Sequence, residues 1–329
     1  MTEMLPEFRL AQPRDVEAAL ATRRDHPATR FLAGGSDLLV NMRHGLDSPE
    51  VLIDLTGIDE LSQWTIGQEG ARIGACVTVS TLAAAPEIRE RYRALAEAAE
   101  SIAGPSHRAA ATVGGNLCLD TRCIYYNQSR WWRRANSFCL KHEGEICHVA
   151  PEGKRCHAAF CGDLAPALLA LGAAVEIAGG GGRRRRALGE LYVEDGKAHL
   201  ALGTDEIVIA VHLPADPPPS SYQKVRVRDA IDFPLAGIAV ALDAFGGTLH
   251  ALNVAVTGTN SRPFLVEGID ALLGKKLDET LLQTLDKLVQ KQVQPMRTTI
   301  ASAHYRRLAA AALARRLVST LAAEQRAAS

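Results

Sequence analysis

The sequence predicts an α+β chain with a mixed unit at the N-terminus, a second mixed unit holding an inserted cysteine-rich loop, and a C-terminal α/β domain. Three observations carry this expectation. Short Val/Ile/Leu runs alternate with Ala-rich helical stretches throughout. Six of the seven cysteines fall between Cys118 and Cys161. A stiff proline-rich link occupies residues 214–220. The resulting units are residues 1–57, residues 58–216 with the insertion at about 119–161, and residues 217–329.

In the first unit, a short helix starts near Pro13 and covers residues 15–20. Residues 29–33 and 51–55 are apolar enough for buried strands. The second unit opens with a strand at 71–75, followed by a helix from about Thr78. An Ala-rich helix at 92–102 stops at Gly104-Pro105. Residues 163–171 form a helix that tolerates Pro166 in its first turn, and it feeds a strand at 174–178. Residues 179–182, four glycines, form a hairpin turn before the basic edge of residues 183–186, whose arginines, given any role, suit docking of an acidic partner. A further strand spans 205–213. The third unit begins at Ser221, with strands at 238–243 and 252–257 and helices at 273–292 and 302–323.

Charge and hydropathy exclude some functions. Lys plus Arg equals Asp plus Glu at 37 each, so no net field draws the chain to nucleic acid or acidic lipid. The N-terminal residues do not resemble a signal peptide, and Pro166 and Glu176 interrupt the longest apolar run. A cytoplasmic protein is expected. No H-E-x-x-H, G-x-S-x-G or glycine–lysine phosphate loop is present.

Two glycine pairs are candidate anion sites. Ala33, Gly34, Gly35, Ser36, Asp37 and Leu38 join a buried strand to a helix, where glycines let backbone amides approach a phosphate. Thr112, Val113, Gly114, Gly115 and Asn116 repeat the theme, with a hydroxyl and an amide able to donate hydrogen bonds. Each is also readable as an ordinary tight turn. Together they suit a long dinucleotide lying between two units.

The cysteines fit redox or metal work in a reducing compartment. Cys123, Cys139, Cys147 and Cys156 are separated by 15, 7 and 8 residues. Four thiolates complete an iron–sulfur cube, yet the tight C-x2-C pairs of common zinc sites are missing. A mixed zinc site using His142 or His148, or reduced unliganded thiols, remains an alternative reading. Tyr125, Tyr126, Trp131, Trp132 and Phe138 would cover a metal-stapled loop. The loop's arginines and lysines would stabilise thiolates, face an acidic donor, or simply solvate the exterior. Cys76, alone, reads as a small buried hydrophobe.

Taken in order, residues 33–39, residues 111–117, residues 162–171, Tyr222-Gln223-Lys224-Val225-Arg226 and Ser302-Ala303-His304-Tyr305-Arg306-Arg307 resemble the FAD-binding medium subunits of molybdenum hydroxylases. That is the xanthine dehydrogenase and carbon monoxide dehydrogenase family. The cysteine-bearing insertion between Asn116 and Asp163 resembles its 4-hydroxybenzoyl-CoA reductase branch, in which such a loop holds an additional [4Fe–4S] cluster.

The resemblance implies a two-part FAD-binding unit, with the first turn and the Thr112–Gly114–Gly115–Asn116 turn at the pyrophosphate, Asp163 on the ribosyl part and Lys224 near the flavin. Cys123, Cys139, Cys147 and Cys156 would ligate the cluster, leaving Cys118 and Cys161 as a flanking pair. Ser36 stands for a commoner Thr, and Ala109 for a commoner Asn. The resemblance further implies partners: a large molybdenum-cofactor subunit, a small subunit with two [2Fe–2S] clusters, and ferredoxin as electron donor, in a dimer of heterotrimers. No catalytic acid or base is expected in this chain, and neither nucleic acid nor membrane is expected as a partner.

Overall fold

Three β-sheets divide the chain, and the computed structural model describes residues 4–297 and 300–328 of it. Residues 1–3, 298–299 and 329, which the expected first and third units include, lie outside the described residues. The first sheet is parallel, with β1 (Arg9–Ala11), β2 (Thr29–Leu32) and β3 (Val51–Asp54) in the order β1-β3-β2. Val51, Leu52 and Ile53 are buried, as befits the central strand of a parallel sheet. Helix α1 (Val16–Asp25) crosses between β1 and β2, and Asp15 caps it by accepting from the Ala18 amide at 2.7 Å. Helix α2 (Leu38–Arg43) joins β2 to β3, and α3 (Asp59–Ser62) leads into the next sheet.

The second sheet is antiparallel: β4 (Trp64–Gly67), β5 (Gly70–Gly74), β6 (Ala174–Gly179), β7 (Gly182–Ala187) and β8 (Ile207–Leu213), ordered β4-β5-β8-β6-β7. Between β5 and β6 run α4 (Val79–Ala84), α5 (Pro86–Arg91), α6 (Arg93–Ser101), α7 (Pro105–Ala110), α8 (Val113–Leu117), α9 (Arg130–Ala135) and α10 (Leu164–Ala170). All seven residues of α10 are buried, which its apolar sequence on every side requires. The glycine hairpin is as expected. Three of its arginines pair within the chain: Arg183 with Glu60 and Glu17, Arg184 with Glu206 and Arg186 with Glu190. Gly104-Pro105 ends one helix but also begins α7, because proline fits a first helical position.

The third sheet holds β9 (Ser220–Val225), β10 (Ala236–Phe245), β11 (Thr248–Thr257) and β12 (Phe264–Leu265), ordered β12-β11-β10-β9. Alternation along β10 sets its packing. Ile238, Val240 and Leu242 share a core with α11 (Glu279–Gln292) and α12 (Ala303–Ala328), whereas Ala239 and Ala241 join the core of the second unit around α6 and α10. The small residues let α10 approach the sheet. The helix expected from residue 273 starts instead at Glu279. Gly274 is left-handed (φ +73), and Asp278 caps the later start by accepting from Leu281. Among the described residues, no helix is long and apolar enough to cross a membrane.

Candidate functional site

The first glycine turn connects β2 to α2. Gly35 adopts a left-handed conformation (φ +67), and a Cβ on Gly34 would stand 1.7 Å from the carbonyl oxygen of Ala110. Glycine is therefore required at Gly35 by backbone conformation and at Gly34 by contact with the chain leading to the second turn. The amides of Gly34, Gly35, Ser36 and Leu38 find no hydrogen-bond acceptor among the described residues. Unpaired N–H groups in a glycine turn are donors that an anion can use. The Asp37 carboxylate turns elsewhere: it accepts from the Arg122 guanidinium and from the Asp120 amide at 3.2 Å.

The second turn is differently employed. Val113, Gly114 and Asn116 donate their amides to Val77, Ala75 and Thr112 carbonyls, and Gly115 donates to Thr112 Oγ1 at 3.1 Å. Thr112 thus caps α8. Asn116 Oδ1 accepts from the Leu164 amide at 3.0 Å, tying the turn to α10. Beyond its own backbone, what this turn can offer a ligand is the Thr112 hydroxyl hydrogen and the Asn116 side-chain amide, since the amides of Val113, Gly114, Gly115 and Asn116 are already paired.

Asp163 and Lys224 meet each other. Lys224 Nζ donates to Asp163 Oδ2 at 3.0 Å and to the Asp232 carbonyl at 3.2 Å, and Tyr222 donates its hydroxyl to Asp163 Oδ1 at 2.5 Å. Both charged side chains are buried. Burial pushes the Asp163 carboxyl upward, opposed by Lys224 and Tyr222. The pair locks α10 to β9.

The cysteine loop closes at a neck where Arg122 and Ala159 exchange backbone hydrogen bonds of 2.7 and 2.8 Å. Beyond it, Cys123, Cys139, Cys147 and Cys156 all line one small cavity, together with Tyr125, Tyr126, Leu140, Lys141, His148 and Val149. Turns begin at Cys123, Cys139 and Cys147, whose carbonyls accept from Asn127, His142 and Ala150. The Ala158 amide donates to Cys156 Sγ at 3.4 Å. Burial pushes the Cys123 thiol up, and Cys156 up to about 12, with the neighbouring thiols adding to each shift.

Among the described residues, no three His, Cys, Asp or Glu side chains converge tightly enough for a single metal ion. The four thiols line one cavity without three of them meeting at a single point. Of the rival histidines, His148 Nε2 lies 2.5 Å from the Phe138 carbonyl and His142 Nδ1 lies 3.1 Å from Arg133 Nη1. Cys118 and Cys161 do not line the cavity; burial raises their thiols to about 12 and about 11. Cys76 is buried against the Leu55 carbonyl, as a small hydrophobe would be.

Three cations that sequence reasoning leaves undistinguished turn out to organise the loop. Arg133 is fully buried and donates to the His44 and Gly45 carbonyls at 3.1 and 3.0 Å, docking the loop onto the end of α2. Arg122 links the neck to Asp37 of the first turn. Lys141 is enclosed against Tyr126, its Nζ 4.1 Å from the ring centroid. No sequence signal separates these from the exposed Arg130 and Arg134. The expected aromatic cover holds for Tyr126, but Trp131 is 78% exposed, because α9 turns that face outward.

A mixed fold with unpaired amides in its first glycine turn is that of a protein able to bind an anion there. Residues 6–216 match the family described as FAD binding domain in molybdopterin dehydrogenase, and residues 220–321 match the CO dehydrogenase flavoprotein C-terminal domain. The chain belongs to the molybdenum hydroxylase (carbon monoxide and xanthine dehydrogenase) family, as its FAD-binding medium subunit.

Among its relatives, the aldehyde oxidoreductase FAD-binding subunit PaoB of Escherichia coli (strain K12) is 35% identical over 273 residues, covering 79% of this chain and 83% of that one. The carbon monoxide dehydrogenase medium chain of Afipia carboxidovorans is 27% identical, covering 96% and 97%. The solved carbon monoxide dehydrogenase of Hydrogenophaga pseudoflava shares the fold with a TM-score of 0.79 at 23% identity, covering 98% and 99%. These relatives are oxidoreductase subunits, and so is this chain.

Proposed function

We propose that this chain is the electron-transfer subunit of a molybdenum enzyme and carries a [4Fe–4S] cluster besides FAD. The observation that carries this reading is the common cavity of Cys123, Cys139, Cys147 and Cys156, whose neck is bonded through Arg122 to Asp37 of the open glycine turn. FAD supplies one- or two-electron chemistry and the cluster one-electron chemistry. The free amides of Gly34, Gly35, Ser36 and Leu38 hold the diphosphate, Thr112 and Asn116 add side-chain donors, and Asp163 and Lys224 brace the wall between α10 and β9. The four thiolates hold the cluster, and Tyr126 and Val149 exclude water from it. A large molybdenum-cofactor subunit and a small [2Fe–2S] subunit complete the assembly, which we take to be a dimer of heterotrimers.

The inserted loop supports assignment to a 4-hydroxybenzoyl-CoA reductase, with ferredoxin as donor and reductive removal of the phenolic hydroxyl as water on the partner subunit. The identity with an aldehyde oxidoreductase subunit favours an oxidative reading, in which electrons leave through the same loop. Assay of the assembled complex decides between them: 4-hydroxybenzoyl-CoA turnover with reduced ferredoxin supports the first, and aldehyde oxidation without that turnover supports the second. For the cluster itself, Cys139→Ser is expected to abolish the [4Fe–4S] EPR signal of the reduced protein. An unchanged signal removes Cys139 from the ligand set.

A further inference from the structure

Lys141 lies two residues past Cys139, its side chain is only 6% exposed, and it lines the same cavity as the four thiols. Its Nζ has three acceptors: Asp120 Oδ1 at 2.7 Å, the Thr121 carbonyl at 2.8 Å and Thr121 Oγ1 at 2.5 Å. The Thr121 hydroxyl donates its own hydrogen to the Gly196 carbonyl at 2.5 Å, so towards Lys141 it can only accept. Three donations require three N–H bonds, which an ammonium has and a neutral amine lacks. The face of Tyr126 also stabilises a cation there. Lys141 is therefore a fixed positive charge in the cavity wall.

The loop's other cations are placed differently. Arg130 and Arg134 are exposed, as is Lys154, so solvent and salt screen them, and Arg122 is paired with Asp37 outside the cavity lining. Arg155 pairs with Glu194, and Arg133 spends its guanidinium on main-chain carbonyls outside the cavity lining.

We infer that Lys141 sets the reduction potential of the group held by Cys123, Cys139, Cys147 and Cys156, raising it, with Asp120 acting in the opposite sense. This rests on the cluster reading above. One-electron reduction adds a negative charge to the cluster, and a nearby ammonium shielded from water stabilises that charge more than it stabilises the oxidised form. The Asp120 carboxylate, bonded to the same ammonium and 29% exposed, offsets part of the effect.

The test is a dithionite titration of the anaerobically purified, assembled complex, followed by EPR, for wild type, Lys141→Met and Asp120→Asn. Lys141→Met is expected to titrate at a lower potential than wild type and Asp120→Asn at a higher one, with iron content unchanged in both. An unchanged or raised potential in iron-replete Lys141→Met overturns the inference. Should that variant fail to retain iron, Asp120→Asn decides alone, and the absence of an upward shift overturns the inference. A wild-type complex with no [4Fe–4S] EPR signal, and no iron beyond that of the small subunit's [2Fe–2S] clusters, overturns the cluster reading itself, and that result appears before any variant is compared.

Discussion

The two glycine turns look alike in sequence and are opposites in structure. In the first, the amides of Gly34, Gly35, Ser36 and Leu38 are left free; in the second, those of Val113, Gly114, Gly115 and Asn116 are consumed by Val77, Ala75 and Thr112. Gly34 is needed because backbone passes where a side chain would be, and Gly114 because Ala75 Cβ would lie 2.8 Å from its own Cβ. A paired glycine therefore marks close approach in both places, but only the first also leaves the backbone amides of its glycines free for a ligand. The second is a packing joint.

Substitutions can break this contrast. Gly34→Ala carries the largest cost, about 3 kcal/mol or more, because its Cβ meets a main-chain oxygen that no side-chain movement relieves. The thermal midpoint and the retained flavin should fall together. A variant with wild-type values for both would remove the tight contact from the account.

The sealed side near the second turn has a pH signature of similar size. His199 is buried beside Phe160, its ring centroid 5.9 Å away, and burial lowers its pKa to about 4. Above its ordinary value of about 6.5 the imidazole is neutral in both folded and unfolded chains, and its contribution is fully present. As pH falls, the unfolded chain takes up the proton first, so stability is lost progressively down to about pH 4, by about 3 kcal/mol in all. Denaturant unfolding at several pH values should show this loss, and His199→Phe should flatten it.

Gly114→Ala is expected to cost about 1–3 kcal/mol by pressing on Ala75, yet the folded fraction should keep its flavin. Gly35→Ala strains a left-handed residue by about 1–2 kcal/mol and should release flavin out of proportion to its stability loss, since it bends the amide-bearing turn itself. Equal flavin loss in these two variants would erase the distinction between the turns. Gly115→Ala should cost less than Gly114→Ala, about 1 kcal/mol, because its backbone is not left-handed and the tight contact its Cβ would make, 3.0 Å, is with the Thr112 side-chain hydroxyl.

Much of this is legible in the residues. The Val51-Leu52-Ile53 run and the helix at residues 163–171 follow from local apolar patterning, whereas the first helix, read at 15–20, runs from Val16 to Asp25 with Asp15 as its cap. The four cysteines that the resemblance implies as ligands line one cavity, although their spacing alone leaves zinc and free thiols open. Other features depend on partners distant in sequence. Ala75 is what fills the second turn, His44 and Gly45 are what bury Arg133, and Thr121 with Gly196 is what fixes Lys141. The late start of α11 escapes the sequence pattern because Gly274 and the Asp278 cap outweigh an apolar periodicity that continues through them.

The account turns on whether a sulfur-ligated cluster sits beside the flavin turn. Iron, zinc and flavin should be quantified together in anaerobically purified protein, alongside its absorption spectrum. The account predicts about four iron atoms and about one FAD per chain, with no stoichiometric zinc. Protein that retains FAD but holds zinc, or leaves Cys123, Cys139, Cys147 and Cys156 free to react with a thiol reagent, would contradict it.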